Sequence, residues 1–235
     1  MAIFLVAAVS MTGCTMFGGS GDDATPTPVT GPIVLDAAGV RFADTNSGRF
    51  TLTIDGDAAL DESNNLLLRG AEGSILRPDR ADVQAQIALS AATLSVHLIA
   101  IGEDQYMTNF LTGDWERAPE GLNYNPAVLF DDERGIAGVL RNVDDAQLTG
   151  SEDLDGTEAY HVTGSVARDA VQAMAGNAFK SDRINFDIWI NRSTNDILRI
   201  VLNDPQSAGG ARPVTWTLTI TVHDKPVTIE APPLS

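Results

Sequence analysis

The residue types that most often carry acid–base or metal chemistry are sparse in this sequence of 235 residues. Its three histidines, His97, His161 and His223, are far apart, and each falls in a predicted strand with no second histidine or carboxylate at metal-ligand spacing. Acidic residues cluster around Asp55 and Glu152, but neither cluster forms the complete loop that binds calcium. The sequence has no nucleophile elbow and no glycine-rich phosphate loop. These patterns predict no catalytic residue, no metal site and no cofactor.

Cys14, the only cysteine, stands where a covalent lipid would be attached. It follows an apolar run over residues 3–9 and two small residues, the order in which bacterial lipoprotein signals end. Such chains are cut before the cysteine, whose thiol receives a diacylglyceryl group. We therefore predict a signal peptide over residues 1–13 and a lipid anchor at the outer face of the cytoplasmic membrane. Met11 replaces the usual leucine and no basic residue precedes Cys14, so an incidental or buried cysteine is the alternative.

The acidic balance of the chain narrows the classes of partner. With 32 acidic and 15 basic residues the net charge is −17, which excludes nucleic acid because phosphate binding needs clustered lysines and arginines. The N-terminal apolar run is far shorter than the ~20 residues that span a bilayer. Residues 14–32 are rich in Gly, Ser, Thr, Pro and Asp, a composition typical of a flexible linker. We expect one folded domain over residues 33–235, with no disulfide.

The hydrophobic pattern of this domain predicts mainly β-structure. Phe50, Leu52 and Ile54 alternate with polar residues, which is the period of a half-buried strand. Further strands, recognised by the same alternation or by short apolar runs, are predicted over residues 66–68, 83–89, 94–100, 184–190, 197–202 and 214–222. The dipeptide Asp155-Gly156 separates two more strands and predicts a β-hairpin.

Helical patterns interrupt the strands at three places. The apolar residues that follow residue 33 suit one short helix. A second helical region starts at Pro126, a favoured first-turn proline after an asparagine N-cap, and Gly135 divides it into two short helices. The third helix is predicted to begin with Ser165 as its N-cap and to end near Gly176.

These elements predict the α+β class, with a large curved antiparallel sheet and a few short helices over its concave face. A sheet of about ten strands usually curls, and its apolar face must be covered. The helices over residues 126–143 and 165–176 are the candidates for that cover, but they are too short to fill the concave side. We therefore expect an apolar cavity between sheet and helices, where an apolar ligand would bind.

Four stretches of the sequence resemble the LppX/LprAFG lipoproteins in their order and spacing: residues 104–119, 125–140, 154–164 and 188–199. They hold, in turn, a Tyr…Trp segment, a proline-started helical insert, an Asp-Gly hairpin and a tryptophan-containing strand. The resemblance implies a LolA/LolB-like fold, an open half-barrel over helices. It also implies a protein that is not an enzyme, and that carries lipids or lipoglycans across the cell envelope in an apolar cavity.

The residues expected to line that cavity are apolar residues of the predicted strands and helices. On any sheet such residues would be packing residues, and the resemblance implies that some of them contact lipid. They are Phe50, Leu52, Ile54, Leu129, Ile136, Val139, Leu140, Met174, Phe186, Ile188, Ile190, Trp216, Leu218 and Ile220. Movement of the helical insert around Gly135 and Gly138 is the predicted way in which the cavity opens.

The partners that follow are a lipid or acylated glycolipid as ligand, the membrane through the N-terminal anchor, and an envelope transporter. We expect the protein to be a monomer. The alternative function is a non-enzymatic sensor or interaction module on the same fold, whose cleft binds a peptide or lipoprotein signal.

Overall fold

The computed structural model describes residues 28–59, 66–90, 92–119, 125–176, 178–206 and 213–234. The predicted signal peptide, Cys14 and most of the predicted linker lie outside the described residues. Within the described ranges, no helix combines the length and the apolar character that crossing a membrane requires.

The described residues form one antiparallel sheet of eleven strands, which confirms the predicted fold class. In chain order the strands are β1 (Ser47–Ala59), β2 (Leu66–Leu76), β3 (Arg80–Leu89), β4 (Ala92–Ile101), β5 (Asp104–Thr108), β6 (Trp115–Arg117), β7 (Asp144–Leu154), β8 (Thr157–Ala167), β9 (Arg183–Asn191), β10 (Ile197–Asp204) and β11 (Val214–His223). Across the sheet their order is β6-β5-β4-β3-β2-β1-β11-β10-β9-β8-β7, so the first and last strands of the chain meet at its centre.

The predicted alternation of β1 is present and is matched by its partner strand. Leu52 of β1 pairs with Leu218 of β11, and Ile54 pairs with Trp216. Because alternate residues of a strand face the same side, these pairs place one apolar stripe on the concave face. The stripe is the base on which the candidate site is built.

The predicted hairpin joins β7 and β8. Leu154 pairs with Thr157, and the two residues between them, Asp155 and Gly156, have φ values of +54° and +86°. Two successive positive φ values define the turn that matches the right-handed twist of paired strands. The Asp-Gly prediction is therefore confirmed.

Short helices cover the concave face. They are α1 (Gly31–Ala43), a 3-10 helix (Pro126–Phe130), α2 (Ile136–Arg141) and α3 (Arg168–Ala175). The side-chain oxygen of Asn125 accepts a hydrogen bond from the backbone N–H of Ala127 at 2.9 Å, which confirms the predicted N-cap. The interruption predicted at Gly135 is also present, since α2 begins at the next residue.

The cover includes one helix that the sequence interpretation did not assign to it. α1 packs against α2 and lies on β7 and β8. It buries Val34, Leu35, Ala38 and Phe42 on its inner face. The cover is therefore shared among α1, the 3-10 helix, α2 and α3.

The predicted start of the third helix at Ser165 is wrong. β8 continues through Ser165 to Ala167, and α3 begins only at Arg168. Ser165 pairs with Asn185 of β9, and its hydroxyl accepts a hydrogen bond from Arg183 at 2.7 Å. Cross-strand pairing satisfies the backbone here, so the serine has no helix end to cap.

Candidate functional site

The site with the clearest geometry is a cavity of about 520 Å³ between the concave face and the helices. Strands β1 to β5, β10 and β11 form one wall, and the 3-10 helix, α2 and α3 form the other. The lining residues, almost all apolar, are Phe50, Leu52, Ala59, Leu68, Ala71, Val83, Ala85, Ile87, Val96, Leu98, Met107, Pro126, Leu129, Ile136, Val139, Val171, Met174, Ala175, Gly176, Ile200, Leu202, Trp216 and Leu218.

The space exists because small side chains alternate with larger ones on the inner face. Val83, Ala85 and Ile87 are successive inward residues of β3, and Ala71 lies directly across from Ala85 on β2. An alanine leaves room that a leucine or isoleucine would fill. Among the helices, the 3-10 helix makes the main contact with β2 and β3, and it leaves this space open.

Eight of the fourteen residues predicted to line a cavity lie in its wall. They are Phe50, Leu52, Leu129, Ile136, Val139, Met174, Trp216 and Leu218. They come from two central strands and from the helical cover, so segments distant in sequence meet around one space. Their contact with a lipid stays a prediction.

The other six lie elsewhere. Phe186, Ile188 and Ile190 of β9 are fully buried in the core. Leu140 is buried where α2 meets α1, and Ile54 is half-buried against the same core. The sixth, Ile220, packs below the cavity near Phe42 and Phe130. The strand β9 shows the same alternation as β1, but its apolar side chains belong to the packed core and do not face the cavity.

The wall also contains residues of β2 to β5 that the prediction left out. Those with the largest side chains are Leu68, Val83, Ile87, Val96, Leu98 and Met107. Alternation over residues 83–87 and 94–98 was visible in the sequence and could have identified four of them. Met107 lies on the five-residue strand β5, which is too short for periodicity to be recognised.

One end of the cavity is sealed, and we call it the closed end. Phe42, Phe50, Ile75 and Phe130 are buried there, and the rings of Phe42 and Phe130 are 5.5 Å apart. The guanidinium of Arg77 lies over the Phe130 ring at 4.6 Å and donates a hydrogen bond of 2.9 Å to the Phe130 carbonyl. Arg77 therefore ties the 3-10 helix to the end of β2.

We call the opposite end the rim end. It is the end at which β2 begins and β3 terminates, because Leu66 pairs with Leu89. The wall residues there include Leu68 and Ile87, which are half-buried, and Gly176, which is exposed. The cavity wall therefore reaches the protein surface at the rim end.

Over residues 32–229 the sequence matches the model of the family described as LppX_LprAFG lipoprotein. The chain belongs to the LppX_LprAFG family. The lipoarabinomannan carrier protein LprG of Mycolicibacterium hassiacum is 25% identical over an alignment of 239 positions, which covers 99% of this chain and 96% of that protein.

Two solved structures of lipoproteins share the fold. LprF of Mycobacterium bovis superposes with a TM-score of 0.70 at 16% identity, covering 86% of this chain and 96% of that chain. Lipoprotein LppX of Mycobacterium tuberculosis gives a TM-score of 0.57 at 17% identity, covering 85% of this chain and 99% of that chain. At this identity the likeness shows the architecture alone.

In this member of the LppX_LprAFG family, a carboxylate holds the segment between α3 and β9. Asp204, fully buried at the rim end of β10, accepts hydrogen bonds from the N–H groups of Lys180, Ser181 and Gln206 and from the Ser181 hydroxyl. Burial alone would raise the pKa of Asp204, but these hydrogen bonds outweigh it and lower the pKa. The ionised carboxylate thus fixes the loop that follows α3, a helix of the cavity wall.

A second carboxylate fixes the turn between the 3-10 helix and α2. Asp131 accepts hydrogen bonds from the Arg134 side chain, the shorter at 2.7 Å, and from the N–H groups of Glu133 and Arg134. These bonds, chiefly the one from the Arg134 side chain, lower the pKa of Asp131 to about 2. Leu129 and Ile136 flank this turn, and both line the cavity.

The histidines of this family member lie outside the cavity wall. His97 is 2.6 Å from a carboxylate oxygen of Asp82, and His161 is 2.9 Å from one of Asp187. His223 is 3.0 Å from the carbonyl of Ile197. Each is thus a hydrogen-bonded residue, and its predicted place in a strand is confirmed. In the described part of the chain, no group of three or more His, Cys, Asp or Glu residues is arranged to hold a metal ion.

Proposed function

We propose that this protein binds a lipid through its acyl chain in the apolar cavity and carries it across the cell envelope. The observation that carries the proposal is the cavity itself, a space of about 520 Å³ with a wall of apolar side chains. Sites for small organic ligands commonly measure about 300–1,000 Å³. An apolar chain that leaves water for such a space gains about 0.8 kcal/mol for each methylene buried.

The volume indicates how much of a lipid enters. A methylene is about as large as a water molecule, whose share of liquid volume is about 30 Å³. The cavity therefore accommodates roughly 17 such groups, the content of one long acyl chain. A lipid with two or three chains has to enlarge the cavity, and the exposed rim end is where it would do so.

The relatives support an acylated glycolipid as the ligand class. LprG is named as a carrier of lipoarabinomannan, and it aligns with this chain along nearly its whole length. An acylated glycolipid has an apolar part that suits the cavity and a polar head that must stay in water. The exposed rim end would leave that head in solvent.

The proposed setting is the outer face of the cytoplasmic membrane. Cys14 would carry the lipid anchor after removal of residues 1–13, residues 14–32 would act as a linker, and residues 33–235 would be the lipid-binding domain. The family is one of lipoproteins, which supports the anchor. A monomer would take up its ligand at the membrane and pass it to an envelope transporter. No step of this cycle requires catalysis.

The test is native mass spectrometry with lipid extraction on the chain from residue 15. Ala85 lines the middle of the cavity, and Gln84 is exposed on the opposite face of the same strand. We expect the unmodified chain and Gln84→Trp to retain lipid near one-to-one stoichiometry. Ala85→Trp, whose indole would occupy part of the cavity, should retain clearly less lipid.

The opposite result would contradict carriage. If the unmodified chain purifies without lipid and does not take up a fluorescent fatty acid, the sensor or interaction module becomes the better interpretation. If Ala85→Trp retains as much lipid as Gln84→Trp, the ligand does not occupy this cavity. Circular dichroism of both variants checks that they fold.

A further inference from the structure

The exposed apolar side chains of the protein are unevenly distributed. Among the described residues, seven large apolar side chains are exposed: Val29, Ile33, Val40, Leu89, Phe110, Leu111 and Leu234. Five of these belong to three segments that are distant in sequence and that all lie toward the rim end. Scattered single residues would need no explanation, whereas a concentration at one end does.

The first segment is the start of α1. Gly31 lies against the backbone of Ala146, so closely that a Cβ there would be 2.7 Å from the Ala146 carbonyl oxygen. Ala146 is the third residue of β7. The successive antiparallel pairings from β2 across the sheet to β7 place the start of β7 at the rim end. Val29 and Ile33, on either side of Gly31, are therefore exposed at the rim end.

The second and third segments lie across the sheet from α1. Leu89 is the last residue of β3, at the rim end by definition. Phe110 and Leu111 form the tip of the hairpin between β5 and β6. β5 runs antiparallel to β4, and β4 begins at the rim end, so this hairpin projects toward the same end.

The two apolar side chains at the hairpin tip are largely exposed to solvent. Phe110 is 54% exposed and Leu111 is 82% exposed. Several polar groups of the turn bond to one another: the Asn109 side-chain oxygen accepts the N–H of Leu111 at 2.9 Å, and the Asn109 N–H donates to the Asp114 carbonyl at 2.8 Å. The Gly113 N–H bonds back to the Asn109 carbonyl at 2.8 Å. The turn satisfies much of its own backbone, as a segment entering a medium without water must.

We propose that the rim end docks on a lipid bilayer and that Phe110 and Leu111 insert into it. The proposal rests on the proposed function, because docking would bring the exposed end of the cavity to the source of its ligand. The predicted tether supports the bilayer as the occupant, since α1 starts at this end. A chain of the length from Cys14 to α1 reaches roughly 20 Å, so the anchor and the rim end would share one surface.

The charge of the protein indicates how the docking would work. With a net charge of −17 the protein gains nothing from anionic lipid headgroups. The basic side chain of the hairpin, Arg117, is paired with Asp104 at 2.6 Å. Docking would therefore depend on apolar insertion, and binding to neutral phosphatidylcholine should change little with salt.

The test is a fluorescent label placed at the hairpin tip of the full chain in phosphatidylcholine vesicles. Cys14 is the only cysteine and its acylated form has no free thiol, so Leu111→Cys supplies one labelling site. Ala43→Cys, exposed at the closed end of α1, is the matched control. We expect an environment-sensitive label at residue 111 to shift to the blue and to be quenched by a quencher attached to the lipid chains, and the label at residue 43 to do neither.

Two results would overturn the docking proposal. One is equal quenching at both positions. The other is a label at residue 111 that stays in water, or that is shielded by a second copy or another protein without quenching by lipid. Uptake of a fluorescent fatty acid by the same samples in solution tests carriage separately. Failure of docking and failure of carriage are thus distinguishable.

A functional variant completes the test. Phe110→Ser with Leu111→Ser should leave fatty-acid uptake in solution within about twofold of the unmodified protein. It should slow lipid transfer between vesicles at least about tenfold, because each large apolar side chain that leaves water changes an equilibrium by about that factor or more. Val40→Ser, which removes a side chain 60% exposed near the closed end of α1, should transfer normally. Equal transfer by all three proteins would contradict insertion of the tip.

Discussion

Asp204 shows how a single carboxylate controls one part of the cavity wall. Its folded-state pKa is lowered, so the carboxylate stabilises the fold above the unfolded-state pKa of about 3.9 and loses this effect as the pH falls through its folded-state value. We predict that Asp204→Asn lowers the free energy of unfolding at pH 7 by about 2 kcal/mol, because hydrogen bonds to a buried charge are lost. Urea unfolding at a series of pH values measures this difference.

The pH dependence separates this role from a general loss of packing. The difference between the unmodified protein and Asp204→Asn should be constant near neutral pH and should shrink below about pH 4. Asp182→Asn is the control, since Asp182 lies in the same loop with its side chain 93% exposed, and it should change stability little. A difference that persists undiminished to pH 3 would show that ionisation of Asp204 is not the cause.

At the scale of elements, the helical cover contains two glycines with opposite surroundings. A Cβ at Gly138 of α2 would be 1.8 Å from the Glu133 carbonyl oxygen, whereas a Cβ at Gly39 of α1 would have its nearest neighbour at 3.9 Å. We predict that Gly138→Ala destabilises the protein by about 3 kcal/mol, because the backbone must shift. Gly39→Ala should be neutral or should stabilise by up to about 1 kcal/mol, since alanine favours a helix.

Thermal unfolding of the two alanine variants distinguishes close packing from flexibility. If Gly138 serves chiefly as a hinge, Gly138→Ala should fold with near-normal stability and show only slower lipid exchange. A large loss of stability confined to Gly138→Ala would show that close approach of α2 to the preceding turn requires the glycine. Predicted movement around Gly135 and Gly138 would then need the whole turn to move as a unit.

The elements also show which structural features a sequence pattern predicts and which it cannot predict. Long alternation predicted β1, β9 and β11, because each has enough positions for a period of two to be seen. Alternation cannot tell an inward residue that lines a space from one that is packed: Leu52 lines the cavity, but Ile188 is buried in the same core as Leu35 of α1. That distinction depends on where the helices lie, which is a tertiary property.

Local signals failed where a longer-range interaction competed with them. Ser165 has the residue type of an N-cap, yet pairing with β9 keeps it in a strand. The turn at Asp155 and the cap at Asn125 were predictable, since backbone geometry within a few residues decides both. The cavity could be predicted as a feature of the fold, whereas only some of its residues could be predicted one by one.

For the whole molecule, the apolar interior and the acidic surface have different roles. The sheet and its cover provide an apolar interior that is sealed at the closed end by aromatic side chains and exposed at the rim end. The acidic surface keeps the protein in solvent and off anionic headgroups. A carrier needs both properties, because it must leave the membrane with its cargo after it has collected it.

The volume of the cavity leads to a prediction about ligand length. For single-chain lysolipids the binding free energy should become more favourable by about 0.8 kcal/mol with each added methylene, which is about fourfold in affinity. This gain holds as long as the added carbon contacts apolar side chains of the cavity wall. The gain should stop near the length at which about 17 methylene-sized groups fill the cavity of about 520 Å³, since further carbons stay in water. Isothermal titration calorimetry below the critical micelle concentration measures the series.

The same series in Ala85→Trp tests whether the plateau reflects this cavity. An indole at residue 85 occupies space in the middle of the wall, so the gain should stop several carbons earlier, and Gln84→Trp on the opposite face should keep the original limit. Affinity that still rises fourfold per carbon well beyond the limit would mean that the bound protein opens to a larger cavity. Affinity independent of chain length would mean that the ligand is held by its head group, because the hydrophobic effect scales with the apolar surface removed from water.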